Sequence, residues 1–331
     1  MTLKNFLGKK TFIIAEIGSN FDQSLEKAKK LIDVAKSSGA DAVKFQLFKA
    51  EELYQKNSKE YKIFKSIELK SSWVKKLKRY SDQKKIIFFA SSFDKISTKN
   101  LIKSKIKLIK IASSEITKIH ELCYAASFNL PLIISTGMAD LTDITEAVNS
   151  CRKIGNNQIC LLHTCSLYPT RPKDMNILNM KKLSEIFDLP VGLSDHTLGN
   201  TAAIAAVALG AKVIEKHITL DKKSNGPDHF YAAEPKEFSD YVRKIRETEK
   251  MIVKPNFSIN SEVRKTARRK SIFIRKDSKK NSLIKFSNIQ ILNNDARGID
   301  IRYFNHLVGF RFKKNLKKNN PLNWTDIEFK K

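Results

Sequence analysis

Residues 191–219, VGLSDHTLGNTAAIAAVALGAKVIEKHIT, read as strand, helix, strand, with a histidine closing each strand. Val191 to His196 is a short apolar run that turns polar at its end, and Thr201 to Leu209 is an alanine-rich helix former stopped by Gly210. Lys212 to Ile218 supplies the second strand. In a parallel β-α-β unit the carboxyl ends of both strands open on the same side of the sheet, so His196 and His217 face one point in space. Two imidazoles on one rim begin a metal site, the plainer alternative being two separately satisfied strand-end histidines.

The alternation continues outward from this stretch. From Thr11 to about Ile252, short β-branched or aromatic runs alternate with longer amphipathic stretches, the rhythm of an α/β fold. Phe12 to Gly18 predicts the first strand, and Ser24 to Ser38 a helix with Leu25, Ala28, Leu31, Ile32 and Ala35 on one face before Gly39 stops it. Further strands are predicted over Asp41 to Phe48, Ile86 to Phe93, Leu108 to Ala112, Leu130 to Gly137 and Ile159 to Ser166. Between them lie a lysine-rich excursion, a helix marked by Trp73, Leu77 and Tyr80, and helices over Lys95 to Ser104, Ile119 to Phe128 and Leu141 to Ile154. Pro235 to Ile252 closes the series as an amphipathic helix with Phe238, Tyr241, Val242 and Ile245 inward. Eight β-α units in about 240 residues predict an α/β fold, the (β/α)8 TIM barrel. A doubly wound open sheet is the alternative, but no G-x-G-x-x-G follows the first strand and no acidic residue on the second stands ready to hold a ribose.

At Lys254-Pro255 the rhythm breaks. The expected organisation is a barrel domain over 1–254, a polar and basic linker over 255–269, and a small C-terminal β-rich domain over 270–331. Ser271 to Arg275 and Leu307 to Arg311 are its predicted strands, with a turn at Lys279 to Ser282. A domain of about 60 residues is marginal alone, so docking against a barrel is expected.

Composition excludes several classes. The chain of 331 residues is 41% hydrophobic and 29% charged, and no run approaches the roughly 18 apolar residues of a membrane helix. The apolar run Thr11 to Gly18 is interrupted by Glu16 and lacks a small-residue cleavage site, so a cytoplasmic protein without a membrane partner is expected. Cys123, Cys151, Cys160 and Cys165 form no C-x-x-C pair and lie in apolar segments, which suits reduced thiols. The net charge of +28, from 62 Lys+Arg against 34 Asp+Glu, raises nucleic-acid binding as a question. The lysines are spread through nearly every segment without an arginine-rich stripe, so no nucleic-acid partner is expected, and the charge is read as a solvated surface that attracts an anionic small substrate.

If the barrel is right, the polar residues at the strand carboxyl ends share one site. These are Glu16 and Asn20, Lys44 and Gln46, Ser91 and Ser92, then Lys110, Ser113 and Glu115, then Ser135 and Thr136, His163, Thr164 and Ser166, Ser194 and His196, and Glu215 and His217. Two lysines and several hydroxyls on one rim suit an anion with many oxygens, such as a phosphate ester with a carboxylate. Two imidazoles leave metal positions for water and a substrate oxygen, and histidine with oxygen donors leaves Mn²⁺, Co²⁺, Fe²⁺ and Zn²⁺ open. Glu16 and Glu115 are the carboxylates available for proton transfer or for sugar hydroxyls.

AEIGSN from Ala15, GADAVKFQ from Gly39, SSE from Ser113, STGM from Ser135, H-T-C-S-x-Y-P from His163, GLSDHT from Gly192, EKHIT from Glu215 and GPD from Gly226 resemble the sialic acid synthase family. That family includes the N-acetylneuraminate, legionaminic and pseudaminic acid synthases. The resemblance covers the barrel almost end to end, and more loosely the tail, where Arg268-Arg269-Lys270-Ser271 and Asp277-Ser278-Lys279-Lys280 match an antifreeze-like (SAF) domain.

What this resemblance implies is condensation of phosphoenolpyruvate with the open-chain aldehyde of an N-acetylated amino sugar, N-acetylmannosamine or a modified relative. The product is a nine-carbon 2-keto acid plus phosphate. It implies a divalent metal held by His196 and His217, expected to be Mn²⁺ with Mg²⁺ or Co²⁺ as alternatives. It implies phosphate binding by Lys110, Ser135 and Ser194, and carboxylate binding by Lys44, Ser91 and Ser113. Glu16, Gln46, Glu115, Tyr168 and Asp228 fall near the sugar and metal-bound water. Two departures stand out near the site: Asn20-Phe21 where the family has Asn-His, and Ser166 where it has an asparagine of the phosphate site. The family also implies a domain-swapped homodimer in which an Arg-Pro-Gly arginine reaches the partner's sugar site. Here that segment is Leu292-Asn293-Asn294-Asp295-Ala296-Arg297-Gly298, and Arg297 is the residue expected to take the arginine's place.

Overall fold

Eight parallel strands close into a barrel in chain order: β1 Phe12–Gly18, β2 Ala42–Leu47, β3 Ile87–Ser92, β4 Ile109–Ile111, β5 Leu132–Ser135, β6 Ile159–Thr164, β7 Val191–Asp195 and β8 Val213–His217. The computed structural model describes residues 2–8, 10–255, 257–258, 260–266, 269–294 and 298–329. The sheet is closed by β1 pairing with β8, which sets Glu16 opposite His217, while β1 on β2 sets Glu16 opposite Lys44. A (β/α)8 TIM barrel is thus the architecture of the larger unit.

The strands are buried on both faces, and their two-residue alternation sorts them into two cores. One set, among them Ile13, Val43, Phe45, Leu161, Leu193 and Ile214, packs against the surrounding helices. The other, among them Phe12, Ile14, Phe89, Ile133, Cys160 and Val213, fills the barrel interior. Moving up the interior, apolar residues give way to polar ones: Phe12 and Ile14 precede Glu16, Leu108 precedes Lys110, Ile133 precedes Ser135, and Val213 precedes Glu215 and His217. The barrel therefore has a dry floor and a polar mouth. A short helix at Leu3–Phe6, which the periodicity did not reveal, adds Leu3 and Phe6 to the interior cluster.

Asp195 and Lys216, each beside a histidine in sequence, belong to the opposite strand face and pair in register between β7 and β8. Asp195 Oδ2 lies 3.1 Å from Lys216 Nζ and accepts from the Tyr241 hydroxyl at 2.8 Å, while Oδ1 accepts from Thr197 N and Oγ1 at 2.8 and 2.7 Å. Lys216 also donates to the Thr197 carbonyl. Asp195→Ala strands a buried ammonium, and a loss of about 3–5 kcal/mol in unfolding free energy is expected, because a buried charge without its partner is strongly unfavourable. Denaturant titration with an unchanged midpoint would rule this out.

The chain divides into two compact units, Met1–Val253 and Lys254–Lys331. A helix at Ser261–Thr266 occupies part of the segment expected to be linker. The second unit is β-rich, pairing β9 Arg269–Ile274 with β10 Ile289–Asn294, and β11 Arg311–Phe312 with β12 Ile327–Glu328, around Ile272, Ile274, Ile289, Phe312, Leu322 and Ile327. The strand expected over Leu307 to Arg311 starts only at Arg311. Residues Ile301–His306 form a 3-10 helix, Leu307 drops into the core, and Gly309 with φ +95° turns the chain. Arg297 lies outside the described residues. Among the described residues no helix is long and apolar enough to cross a membrane, and the four cysteines are free, Cys151 and Cys160 buried.

Candidate active site

A cavity of about 260 Å³ opens at the carboxyl ends of the strands, lined by Glu16, Lys44, Gln46, Ser91, Lys110, Ser113, Ser135, Ser166, Tyr168, Ser194, His196, Glu215 and His217, among others. Twelve of these residues were expected from sequence as site residues; Glu215 was on the rim without a role. Its position proves central. Glu215 Oε1 lies 3.3 Å from Lys44 Nζ and 3.8 Å from Lys110 Nζ, and accepts from Ser194 Oγ at 3.1 Å. Lys44 Nζ also donates to Ser91 Oγ at 2.9 Å, and Lys110 Nζ to Ser135 Oγ at 2.7 Å. Each lysine thus brings a serine hydroxyl of the next strand to the cavity, so each offers two donors in one place.

Geometry and burial set the charges. Burial pushes Glu16 up to about 7 against the pull of Lys44, with Glu215 adding to the rise. Its Oε1 accepts from Gln46 Nε2 at 3.1 Å; Oε2 lies 3.1 Å from Lys44 Nζ, an ion-pair distance, yet receives no hydrogen bond. Burial opposes ionisation of Glu215 too, but Lys110 and Lys44 together outweigh it and hold that carboxyl below the usual range. Lys44 is raised despite burial, by Glu16 and Glu215. Burial lowers Lys110 to about 8. The four groups make a buried quartet in which one carboxylate is firmly ionised and the other sits near neutrality.

Gly137 lets the turn after β5 pass close to the end of β6. A Cβ there would lie 2.6 Å from Ser166 Oγ and 2.9 Å from the Thr164 carbonyl, and its N–H donates to Ser113 Oγ at 3.1 Å. Ser166 Oγ itself is buried without a hydrogen-bond partner. A ligand oxygen within reach would complete its hydrogen bonding.

The His196 and His217 rings meet edge to face with centroids 5.6 Å apart, and the Tyr168 ring lies tilted by 34° over His196 at 4.2 Å. Burial lowers both imidazoles, His196 to about 4 with His217 adding to the effect, and His217 to about 3 with Lys44 adding. Both are neutral at pH 7. His196 Nδ1 donates to the Cys165 carbonyl at 2.8 Å, which leaves Nε2 as the lone-pair nitrogen, the arrangement of a metal-ligating histidine. Among the described residues no set of three or more His, Cys, Asp and Glu side chains is gathered as a ligand set. The pair therefore fits an ion that keeps most of its positions for water and substrate oxygens.

Other expected residues lie off the cavity wall. The Glu115 carboxylate pairs with Lys118 at 2.7 Å and accepts from Ser114 Oγ at 2.9 Å, which turns it into the loop after β4. Asp228 stands behind His217, its Oδ2 3.9 Å from His217 Nδ1. His163 bonds the Met175 carbonyl and lines a separate hollow beside β6. Phe21, in the family's histidine position, is buried against Phe45 and Trp73.

A (β/α)8 barrel whose mouth joins a lysine–serine anion cradle to a neutral imidazole pair defines the class. The profile of the NeuB family matches residues 31–256, and the chain belongs to that family. An N,N'-diacetyllegionaminic acid synthase of Legionella pneumophila is 39% identical over 339 residues, 96% of this chain and 94% of the relative. The N-acetylneuraminate-9-phosphate synthase of Homo sapiens is 34% identical over 262 residues, 74% of this chain and 72% of the relative. Among solved structures, the N-acetylneuraminic acid (sialic acid) synthetase from Leptospira borgpetersenii in complex with citrate matches with a TM-score of 0.74 at 33% identity, covering 78% of this chain and 91% of that one. The chain is a synthase, an enzyme of the carbon–carbon bond-forming transferase type.

Proposed function

We propose that this enzyme condenses phosphoenolpyruvate with the open-chain aldehyde of an N-acetylated amino sugar, giving a nine-carbon 2-keto sugar acid and phosphate. The observation that carries the reading is the pair of lysine–serine couples held by one carboxylate, Lys44 with Ser91 and Lys110 with Ser135 around Glu215. That is two anion seats side by side, as a small molecule with a carboxylate and a phosphate requires. Lys110, Ser135 and Ser194 take the phosphate; Lys44, Ser91 and Ser113 take the carboxylate. Carbon 3 of the enol forms the new bond to the aldehyde carbon, water adds at carbon 2, and the carbon 2–oxygen bond to phosphate breaks. The aldehyde oxygen ends as a hydroxyl. Glu16 is the cavity carboxyl suited to exchange protons near neutrality. A divalent ion on His196 and His217, Mn²⁺ first with Mg²⁺ or Co²⁺ as alternatives, would polarise the aldehyde as a Lewis acid.

The match to the legionaminic relative over 96% of the chain supports an acceptor of that type, beside N-acetylmannosamine. Incubation with phosphoenolpyruvate, Mn²⁺ and a panel of N-acetylated hexoses and their diacetamido relatives is expected to release phosphate with at least one sugar. Release with none would overturn the reading. The antifreeze-like character of the second unit and a homodimer in which it serves a partner subunit belong to the same proposal. Arg297→Ala is then expected to raise the KM for the sugar about 10- to 150-fold, the cost of one charged hydrogen bond, and to leave that for phosphoenolpyruvate unchanged.

An anion seated beside Glu16 favours its protonated form, so binding takes up a proton. Phosphoenolpyruvate affinity is expected to fall as pH rises through about 7, by up to tenfold per unit, with Lys110 reinforcing the fall near about 8. In calorimetric titrations the Glu16→Gln variant should lose the part of this dependence centred near 7; retention of the full profile would assign it elsewhere.

A further inference from the structure

We infer that Tyr231 is a positioning residue for His217, fixing which imidazole nitrogen carries the proton. Tyr231 belongs to none of the strand ends that mark the site in sequence. It follows β8 in the loop that returns over the barrel mouth and is buried, with only 3% of its surface exposed. Its ring lies 5.1 Å from that of His217 and 5.1 Å from that of Tyr168, closing one side of the imidazole pair.

Donor accounting assigns the protons. The Tyr231 hydroxyl donates to Asp228 Oδ1 at 2.8 Å, and the same oxygen lies 3.4 Å from His217 Nδ1. A phenol has one proton, and the shorter contact to the carboxylate takes it. His217 Nδ1 therefore donates to the phenol oxygen, and Nε2 keeps the lone pair. The outcome matches His196, whose Nδ1 proton is committed to the Cys165 carbonyl. Two unrelated anchors, a backbone carbonyl and a phenol backed by a carboxylate, thus present the same nitrogen of both rings.

The anchor is itself held. Asp228 Oδ2 accepts from Ser19 Oγ at 3.4 Å and comes so near Gly18 that a Cβ there would lie 3.0 Å from it. Gly18 has φ +53° and sits where the β1 register shifts, so the backbone at the end of β1 makes room for the carboxylate. Next in the chain, His229 bonds Thr219 Oγ1 at 2.7 Å and Asp22 Oδ1 at 2.8 Å, tying the loop to β8 and to the turn after β1. Asp228 is thus placed by the fold before any ligand arrives.

The inference rests on the proposed metal role of His217, and the test separates the two. Metal-stripped wild type and Tyr231→Phe are titrated with Mn²⁺ alone by calorimetry, and each with phosphoenolpyruvate alone. The phenylalanine keeps the ring and removes only the hydroxyl. Expected is Mn²⁺ binding weaker by about 10- to 100-fold, the usual cost of losing the hydrogen bond behind a metal-binding histidine, with the phosphoenolpyruvate Kd unchanged. Equal Mn²⁺ affinity in both proteins, or parallel loss of both ligands, would overturn the positioning role. Absence of Mn²⁺ binding by the wild type would remove the metal reading and this inference together. A second measurement needs no substitution at Tyr231: nitrogen-15 spectra of metal-free wild type, with the His217 signals assigned against His217→Gln, should show the proton on Nδ1. A proton on Nε2 would contradict the assignment.

Discussion

Lys110→Met is expected to lower kcat/KM for phosphoenolpyruvate by roughly 30- to 5,000-fold, the equivalent of about 2–5 kcal/mol for truncating one member of a buried charge pair. The ammonium is buried, donates to Ser135 Oγ at 2.7 Å and to the Ile111 carbonyl at 3.2 Å, and sits 3.8 Å from Glu215. Methionine fills the same volume without the charge, so three things fail at once. The phosphate loses its cation, Ser135 loses the partner that orients it, and Glu215 keeps one of its two lysines, Lys44, beside the Ser194 hydroxyl. Because Glu215 is held ionised by Lys110 first and Lys44 second, its carboxyl should also rise. Steady-state kinetics over a range of phosphoenolpyruvate concentrations check this directly, and a variant within threefold of wild type would move the phosphate seat elsewhere.

His217→Ala carries the other large effect. One of two imidazoles is removed from a set that has no third protein ligand among the described residues, so Mn²⁺ affinity should fall by more than the roughly 100-fold upper range seen for losing a supporting hydrogen bond. Turnover should disappear at micromolar Mn²⁺, and excess chelator should abolish it in the wild type, with activity restored on adding the metal back. Full wild-type activity in chelator would contradict the role given to both histidines. His217 also pairs in register with Glu16, so alanine leaves a gap beside the carboxyl that exchanges protons. Activity lost in the variant with metal affinity unchanged would point to that packing instead.

The barrel was legible because its strands carry the two-residue alternation and its helices stop at glycines, as at Gly39 and Gly210. The mouth was legible for the same reason: once β1 is a strand, Phe12, Ile14 and Glu16 must share a face, and the polar one must be last. What escaped lacked such punctuation. The helix Leu178–Phe187 begins without a capping side chain and ends on Asp188 in the left-handed region, φ 51°, where no glycine marks the stop. Gly309 did mark a turn, but the apolar residues around it read as a strand until Leu307 was seen to belong to the core. Asp195 and Lys216 stand beside rim residues in SDH and EKH, and the alternation that puts the histidines at the mouth sends them to the helix side; that they join Tyr241 and Thr197 there had no mark in the sequence. Tyr231 could not be read at all, because its link to His217 arises only from the path of a loop. Glu115, expected as a site carboxylate from its place after a strand, sits in one turn of 3-10 helix, Ser113–Glu115, where it pairs with Lys118, a local partner that strand alternation does not mark.

In the proposed reaction this mouth joins carbon 3 of phosphoenolpyruvate to an amino-sugar aldehyde. Phosphoenolpyruvate labelled with carbon-13 at that position, turned over with Mn²⁺ and the sugar that releases phosphate, reports the bond itself by nuclear magnetic resonance. The label is expected to become a methylene bonded to a hydroxyl-bearing carbon of a nine-carbon 2-keto acid, with one phosphate formed per label. Label recovered in the methyl group of pyruvate, with the sugar unchanged, would contradict it.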